Sequence, residues 1–231
     1  MATPSLLLLV ADGRFPAGVH AHSGGLEAAV AAGRVTDLAT LEEFLAGRLA
    51  TAGLVGAAFA AAAHRAAVAE GTGGSLPSML GQLDAELDAR TAAPTVREVS
   101  RRQGRALLRA GRTIWPDAPF GDLPATPSGV HQPLVLGLLC AAAGLSRLDT
   151  ATVAAYGTVT GAASAGVRLL GLDPYRVQAL LVGLADACDG TAAEAARAAD
   201  GPPERLPAAA APLADIHAEI HATWEVRLFA S

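Results

Sequence analysis

Helix-start signals recur along this chain, and strand signals do not. Thr40-Leu-Glu-Glu43, Thr95-Val-Arg-Glu98 and Thr191-Ala-Ala-Glu194 each set a hydroxyl three residues before a carboxylate. At that spacing the two side chains satisfy each other's unpaired backbone N–H groups. Asp173-Pro174 adds an acidic cap before proline at the first helical position, where a missing N–H costs nothing. Ser146 with Asp149 is a weaker version of the box. Behind the first start, Leu41, Leu45, Leu49, Ala52, Val55 and Phe59 fall on one helical stripe. Alternating polar and apolar runs are scarce, and only 4% of residues are aromatic, which leaves little to favour strands.

The pattern predicts an all-α protein, a single compact bundle of about ten helices over residues 1–231. Helices are expected at 4–11, 23–33, 41–68, 76–90, 95–113, 132–144, 147–170, 174–188, 191–199 and 212–229. Glycine- and proline-rich breaks lie at 12–25, 115–129 and 200–212. None is long or polar enough to separate domains, and no internal repeat is present. The last break holds four prolines and sets off 200–231 as a proline-linked C-terminal docking helix and tail.

Composition removes several function classes. With 231 residues, 52% hydrophobic and a net charge of −5, the chain is not disordered. Two cysteines, Cys140 and Cys188, do not make a disulfide scaffold; Cys140, among leucines and alanines, reads as a buried, inert thiol. All 17 basic residues are arginine, so a P-loop lysine, a lysine Schiff base and a lysine nucleophile are excluded. Only 17% of residues are charged, against about 25% in an average globular chain. Either much apolar surface faces a partner, or coding bias has diluted the charge. The apolar runs Leu6 to Val10 and Gly53 to Ala63 fall short of the roughly 20 residues a bilayer span needs. The chain therefore reads as cytoplasmic, without membrane contact.

Candidate sites are few. The glycines between 13 and 25 lack the strand context of a phosphate loop and read as freedom for a tight connection into the helix near Ser23. Ser23 follows His22 without a nucleophile elbow. His20 and His22 stand beside Glu27; His217 and His221 share one helix face at i and i+4. The zincin pattern needs glutamate after the first histidine, where Ala218 stands. Structural or partner-contact histidines, a transient metal contact at His217 and His221, and a metal-dependent hydrolase built from His20, His22, His217 and His221 are the readings open. Residues 97–112 carry six arginines and one glutamate, leaving the rest of the chain at −10. That helix serves a solvated face, an acidic protein partner or an internal carboxylate network. Net acidity and few aromatics argue against nucleic acid.

Five blocks in order resemble the urease accessory protein F family. They are Ala11-Asp12 with Phe15-Pro16-x-Gly18 and His22-Ser23-x-Gly25-Leu26-Glu27; Arg97-Glu98-x-Ser100-x-Arg102-Gln103-Gly104-Arg105; His131-x-Pro133 with Gly137; Ser164 to Leu169 with Arg168; and His221 with Arg227-Leu228-Phe229 and Ser231. Ala222 departs from the family's usual glutamate. The resemblance implies a non-enzymatic, all-α adaptor that dimerises and binds accessory protein D (H in some species). The pair then recruits the GTPase accessory protein G, and the assembly docks on apo-urease for nickel delivery. No cofactor is expected to be held tightly, nickel being handled by the complex. The resemblance places partner contacts at His22, Ser23, Glu27, Arg97, Ser100, Arg102, Arg105, Arg168, His221, Trp224, Arg227, Leu228 and Phe229.

Overall fold

A computed structural model describes residues 4–16, 21–69 and 75–229, and His20 and Ser231 lie outside them. The described residues are helical with no strand: α1 (Pro4–Ala11), α2 (Leu26–Ala31), α3 (Leu38–Arg48), a π-turn (Leu49–Gly53), α4 (Leu54–Val68), α5 (Leu76–Arg90), α6 (Pro94–Ile114), α7 (Gln132–Ala142), α8 (Arg147–Leu170), α9 (Pro174–Gly183), α10 (Ala185–Ala198) and α11 (Pro212–Ala222). Short 3₁₀ turns stand at Phe120–Asp122 and Pro203–Arg205. The all-α expectation holds.

Helix α4 is the axis. Every residue from Ala57 to His64 is buried, as expected of a helix enclosed on all sides, and it packs chiefly against α7, α8 and α10. Alanine makes the approach close. A methyl on Gly137 of α7 would run into the Ala60 carbonyl and the Ala63 side chain. On α8, a methyl at Gly166 would stand 2.9 Å from Leu41. The stripe residues Leu41, Leu45, Leu49, Val55 and Phe59 thus line a core of backbones drawn together by small residues, while Ala52, expected on the same stripe, is exposed. Helix α3, the π-turn and α4 run on without a break as Leu38–Val68, beginning three residues before the helix expected at 41–68 and ending with it. That helix is long and apolar enough to cross a membrane, and half of its most apolar stretch is buried inside the fold, continuously so from Ala57 to His64.

Helix ends depart from the sequence pattern where a stronger acceptor intervenes. Asp37, not Thr40, caps α3: its carboxylate accepts the Thr40 N–H at 2.9 Å, while the Thr40 hydroxyl accepts the Asp37 N–H at 3.1 Å. The box is present, three residues earlier and with its roles exchanged. Ser146 and Asp149 form a full reciprocal box, Asp149 N–H to Ser146 Oγ at 3.0 Å and Ser146 N–H to Asp149 Oδ2 at 2.9 Å. Asp173 caps α9 through the Tyr175 N–H at 2.9 Å. Thr95 and Thr191 cap nothing. Thr95 gives its N–H to Glu219 at 2.8 Å. Thr191 lies inside α10, where buried Ala192, Ala195 and Ala196 hold one continuous helix across the expected gap at 188–191; the break falls instead at Gly183–Leu184. The expected 23–33 helix shortens to α2, because Gly24 and Gly25 adopt φ of 62° and 89°, which ends any helix before Leu26. The last helix stops at Ala222 rather than 229: the Thr223 and Trp224 N–H groups turn back to the carbonyls of Ile220 and His221, and a carboxylate elsewhere takes the N–H groups of Leu228 and Phe229.

Candidate functional site

That carboxylate is Glu27, in the first turn of α2. Its Oε1 accepts the Leu228 N–H at 2.8 Å; its Oε2 accepts the Phe229 N–H at 3.0 Å and meets His221 Nε2 at 3.0 Å. The Ser23 hydroxyl accepts the Glu27 N–H at 3.3 Å and so fixes the base of the side chain. Burial would push the Glu27 carboxyl up; hydrogen bonds from Leu228, His221 and Phe229 outweigh it and hold the group below its ordinary value. A buried carboxylate with two backbone donors and an imidazole ties three segments together: α2, the end of α11, and the strap 223–229.

The strap divides its apolar residues between two environments. Phe229 is 5% exposed, with the Arg168 guanidinium of α8 4.6 Å from its ring centroid, a cation–π contact. Trp224 packs edge-on to His221, ring centroids 4.8 Å apart. Val226 and Leu228, by contrast, are 85% and 74% exposed. Beneath the strap lies a cavity of about 770 Å³ bordered by Glu98 and Arg102 of α6, Arg168, and Glu225 and Arg227 of the strap. Helix α11 joins the same region: Glu219 accepts the Thr95 N–H at the start of α6, and its outer stripe of Leu213, Ile216 and Ile220 is exposed.

The arginine helix α6 splits by face. Arg101 turns inward, Nη1 on Asp84 at 3.0 Å and Nη2 on Asp88 at 2.8 Å, both acids on α5. His131, fully buried, shares Asp88 at 3.1 Å through Nε2 and meets the Ser100 hydroxyl at 3.0 Å through Nδ1. Ser100 also accepts the Gln132 N–H at 3.3 Å. Burial, seconded by Arg101, holds His131 below its ordinary value. Asp88 is likewise held down, the Arg101 and His131 bonds outweighing its burial. Arg97 serves the carbonyl of Ala92 at 3.0 Å and approaches Asp88 at 3.8 Å, and Arg105 donates to the Ser128 carbonyl. Gly104 lies so close to residue 130 that a methyl would strike the Val130 carbonyl. The internal carboxylate network is therefore built by Arg101, with Arg97 at its edge, and Arg102, together with Glu98 of the same motif, borders the strap cavity.

The site residues expected from sequence thus separate into two groups. Glu27, Arg102, Arg168, His221, Trp224, Arg227, Leu228 and Phe229 gather at the strap, beside buried Ser23 and His22. Arg97, Ser100 and Arg105 instead hold α6 to neighbouring backbone, Arg97 at the carbonyls of residues 91–92 and the other two at the 128–132 segment. Asp84 and Asp88 went unnoticed in sequence, although their i, i+4 spacing opposite an arginine row was a legible sign. His217 lies one turn before His221 without joining Glu27. Among the described residues no three His, Cys, Asp or Glu side chains converge to hold a metal ion, so the hydrolase reading finds no support. Cys140 and Cys188 are free and buried, and burial pushes the Cys140 thiol up to about 12.

Comparison with known proteins agrees with the five blocks. The UreF family model matches residues 35–185. Urease accessory protein UreF of Mycolicibacterium vanbaalenii is 44% identical over 232 residues, covering 100% of both chains. The protein of the same name in Mycobacterium sp. strain JLS is 44% identical over 231 residues, again covering 100% of both. The Mycobacterium tuberculosis H37Rv protein is 44% identical over 195 residues, 84% of this chain and 86% of its own. The alignments that cover both chains completely include Glu27 and the strap, which the family model does not reach. On this evidence the chain belongs to the UreF family of urease accessory proteins.

Proposed function

We propose that this chain is a non-catalytic adaptor in urease maturation, one unit over residues 1–231, that works by gathering other polypeptides. Its partners are accessory protein D or H, the GTPase accessory protein G and apo-urease, and the chain acts in the cytoplasm as a homodimer. It holds no cofactor tightly, and nickel is handled by the assembled complex. The single observation that carries this reading is the strap. Glu27 accepts two backbone N–H groups of 223–229 and meets His221 at the end of α11, which orders the segment, yet the ordered segment leaves Val226 and Leu228 in solvent.

Pre-ordering an apolar segment lowers the entropy a partner must overcome on binding. The exposed stripe of Leu213, Ile216 and Ile220 on α11 extends the same surface, with Arg102 and Arg227 at the cavity to set orientation by charge. Burying such side chains contributes roughly 25 cal/mol per Å² before ordering costs.

Removal of residues 217–231 tests the reading. The truncated chain is expected to keep its helical circular dichroism while losing co-purification with accessory proteins D and G. Full-strength assembly by the truncated chain would end the docking role of this segment.

A further inference from the structure

Arg48 is a cation without an acid. It ends α3 one residue before the π-turn, and its guanidinium lies against the Gly24–Gly25 turn, Nη1 donating to the Gly24 carbonyl. A methyl on Gly24 would stand 2.8 Å from both Cζ and Nη2, so loop and guanidinium touch directly. Nε is enclosed with no acceptor. Among the described residues no carboxylate pairs with it: Asp12 is taken by Arg14, and Glu43, on the same cavity wall, forms no ion pair with Arg48. Burial pulls the group down to about 10 with no neighbouring acid to oppose it.

Two further observations converge on this residue. Arg48 borders a cavity of about 1200 Å³, together with His22, Arg34 and Thr51. The π-turn that follows lies within a continuous 31-residue helix, and such turns in mid-helix are frequent at functional sites. A partly buried charge that only a single carbonyl serves is costly to maintain. A structural clamp on the Gly24 carbonyl needs only a neutral donor. A guanidinium offers what that clamp does not use: a full positive charge and a planar fork matched to carboxylate geometry.

We propose that Arg48 is a receptor for a carboxylate group entering this cavity from outside the chain. The carboxylate is either a free small anion or an acidic side chain of a docked protein, and the chemistry of capture is the same.

The test follows the Arg48 Nε–Hε resonance of the full chain by ¹⁵N NMR, with sodium acetate as probe and sodium chloride at matched ionic strength as control. A shift that saturates with acetate, is absent with chloride and leaves the other arginine signals in place establishes the free-anion form. Because this arm uses the wild-type chain alone, it stands apart from the adaptor reading. The second arm rests on that reading. If acetate is silent, binding of accessory protein D must move the Arg48 resonance. Arg48→Gln must then weaken that complex at least tenfold, with Arg48→Lys recovering part of the loss at unchanged circular dichroism. A resonance that neither acetate nor the protein partner moves overturns the proposal.

Discussion

His221 meets Glu27 at 3.0 Å across 194 positions of sequence. This pairing decides how the chain's last described residues are used. With its carboxylate also holding the Leu228 and Phe229 N–H groups, Glu27 substitutes for the helical carbonyls that would have carried α11 onward. The segment becomes a strap rather than two more helical turns. One exposed apolar edge results, fixed at both ends by buried contacts.

Glu27→Gln is expected to loosen the strap without unfolding the body. The amide keeps the shape, but one of its two arms becomes an NH2 that cannot accept a backbone N–H and the other loses the charge that strengthens its bond, a loss of about 1–3 kcal/mol. Hydrogen exchange at Leu228 and Phe229 should quicken by one to two decades while α4 amides stay protected. Unchanged exchange at those two amides would show that Phe229 beneath Arg168 holds the strap alone.

Replacement of Gly104 by alanine should destabilise the whole chain. The added methyl meets the Val130 carbonyl, a backbone atom held in place by the neighbouring His131 and Gln132 bonds to Asp84 and Ser100. Overpacking of this kind costs about 1–3 kcal/mol, or roughly 2–4 °C of Tm per kcal/mol at this size. Thermal unfolding followed by circular dichroism reads it. Gly81→Ala, on α5 with no neighbour within 4 Å, is the control and should not lower Tm.

The all-α class was legible because caps, stripes and composition agree at each level. Boundaries failed where a distant group outbid the local one. Nothing near Thr223 announces that Glu27 will claim the amides of Leu228 and Phe229, and nothing near Thr191 shows that α4 and α8 will hold α10 straight across it. The π-turn at Leu49–Gly53 has no sequence signature at all. For the site, single residues were legible and their pairings were not. Glu27, His221 and Phe229 stood out through family resemblance, but a motif records which residues recur and not which atoms they face. Thus Ser100 and Arg102, neighbours in one motif, serve different places: the first holds His131 and the second borders the strap cavity.

Stability should fall with acid in two windows. His131 and His64 titrate in the fold below their usual 6.5, so the unfolded chain binds protons there that the folded one refuses, and stability drops as pH falls below about 6.5. Glu27 and Asp88 are held below 4.5 and 3.8. Their contribution is complete above those values and is lost as pH falls through the folded ones. Urea midpoints at pH 7, 5, 4 and 3 measure both windows. Asp88 is partly exposed, so its share is screened. A midpoint that rises between pH 7 and 5 would contradict the first window.

Arg101 and Arg102, adjacent in sequence, should fail in different ways. Arg101→Gln removes one partner of a buried pair and leaves Asp84, 8% exposed as a side chain, without its cation, a loss of about 3–5 kcal/mol. Arg102 is exposed at the cavity, so Arg102→Glu should leave the fold within about 0.5 kcal/mol of the parent. It should nevertheless weaken assembly with the accessory partners and slow their association, most clearly at low salt. Chemical denaturation and pull-down of accessory proteins D and G, run on both variants, separate the two. If Arg102→Glu binds its partners as the parent does, charge at the strap cavity does not orient them, and the exposed apolar edge of Val226 and Leu228 carries the contact alone.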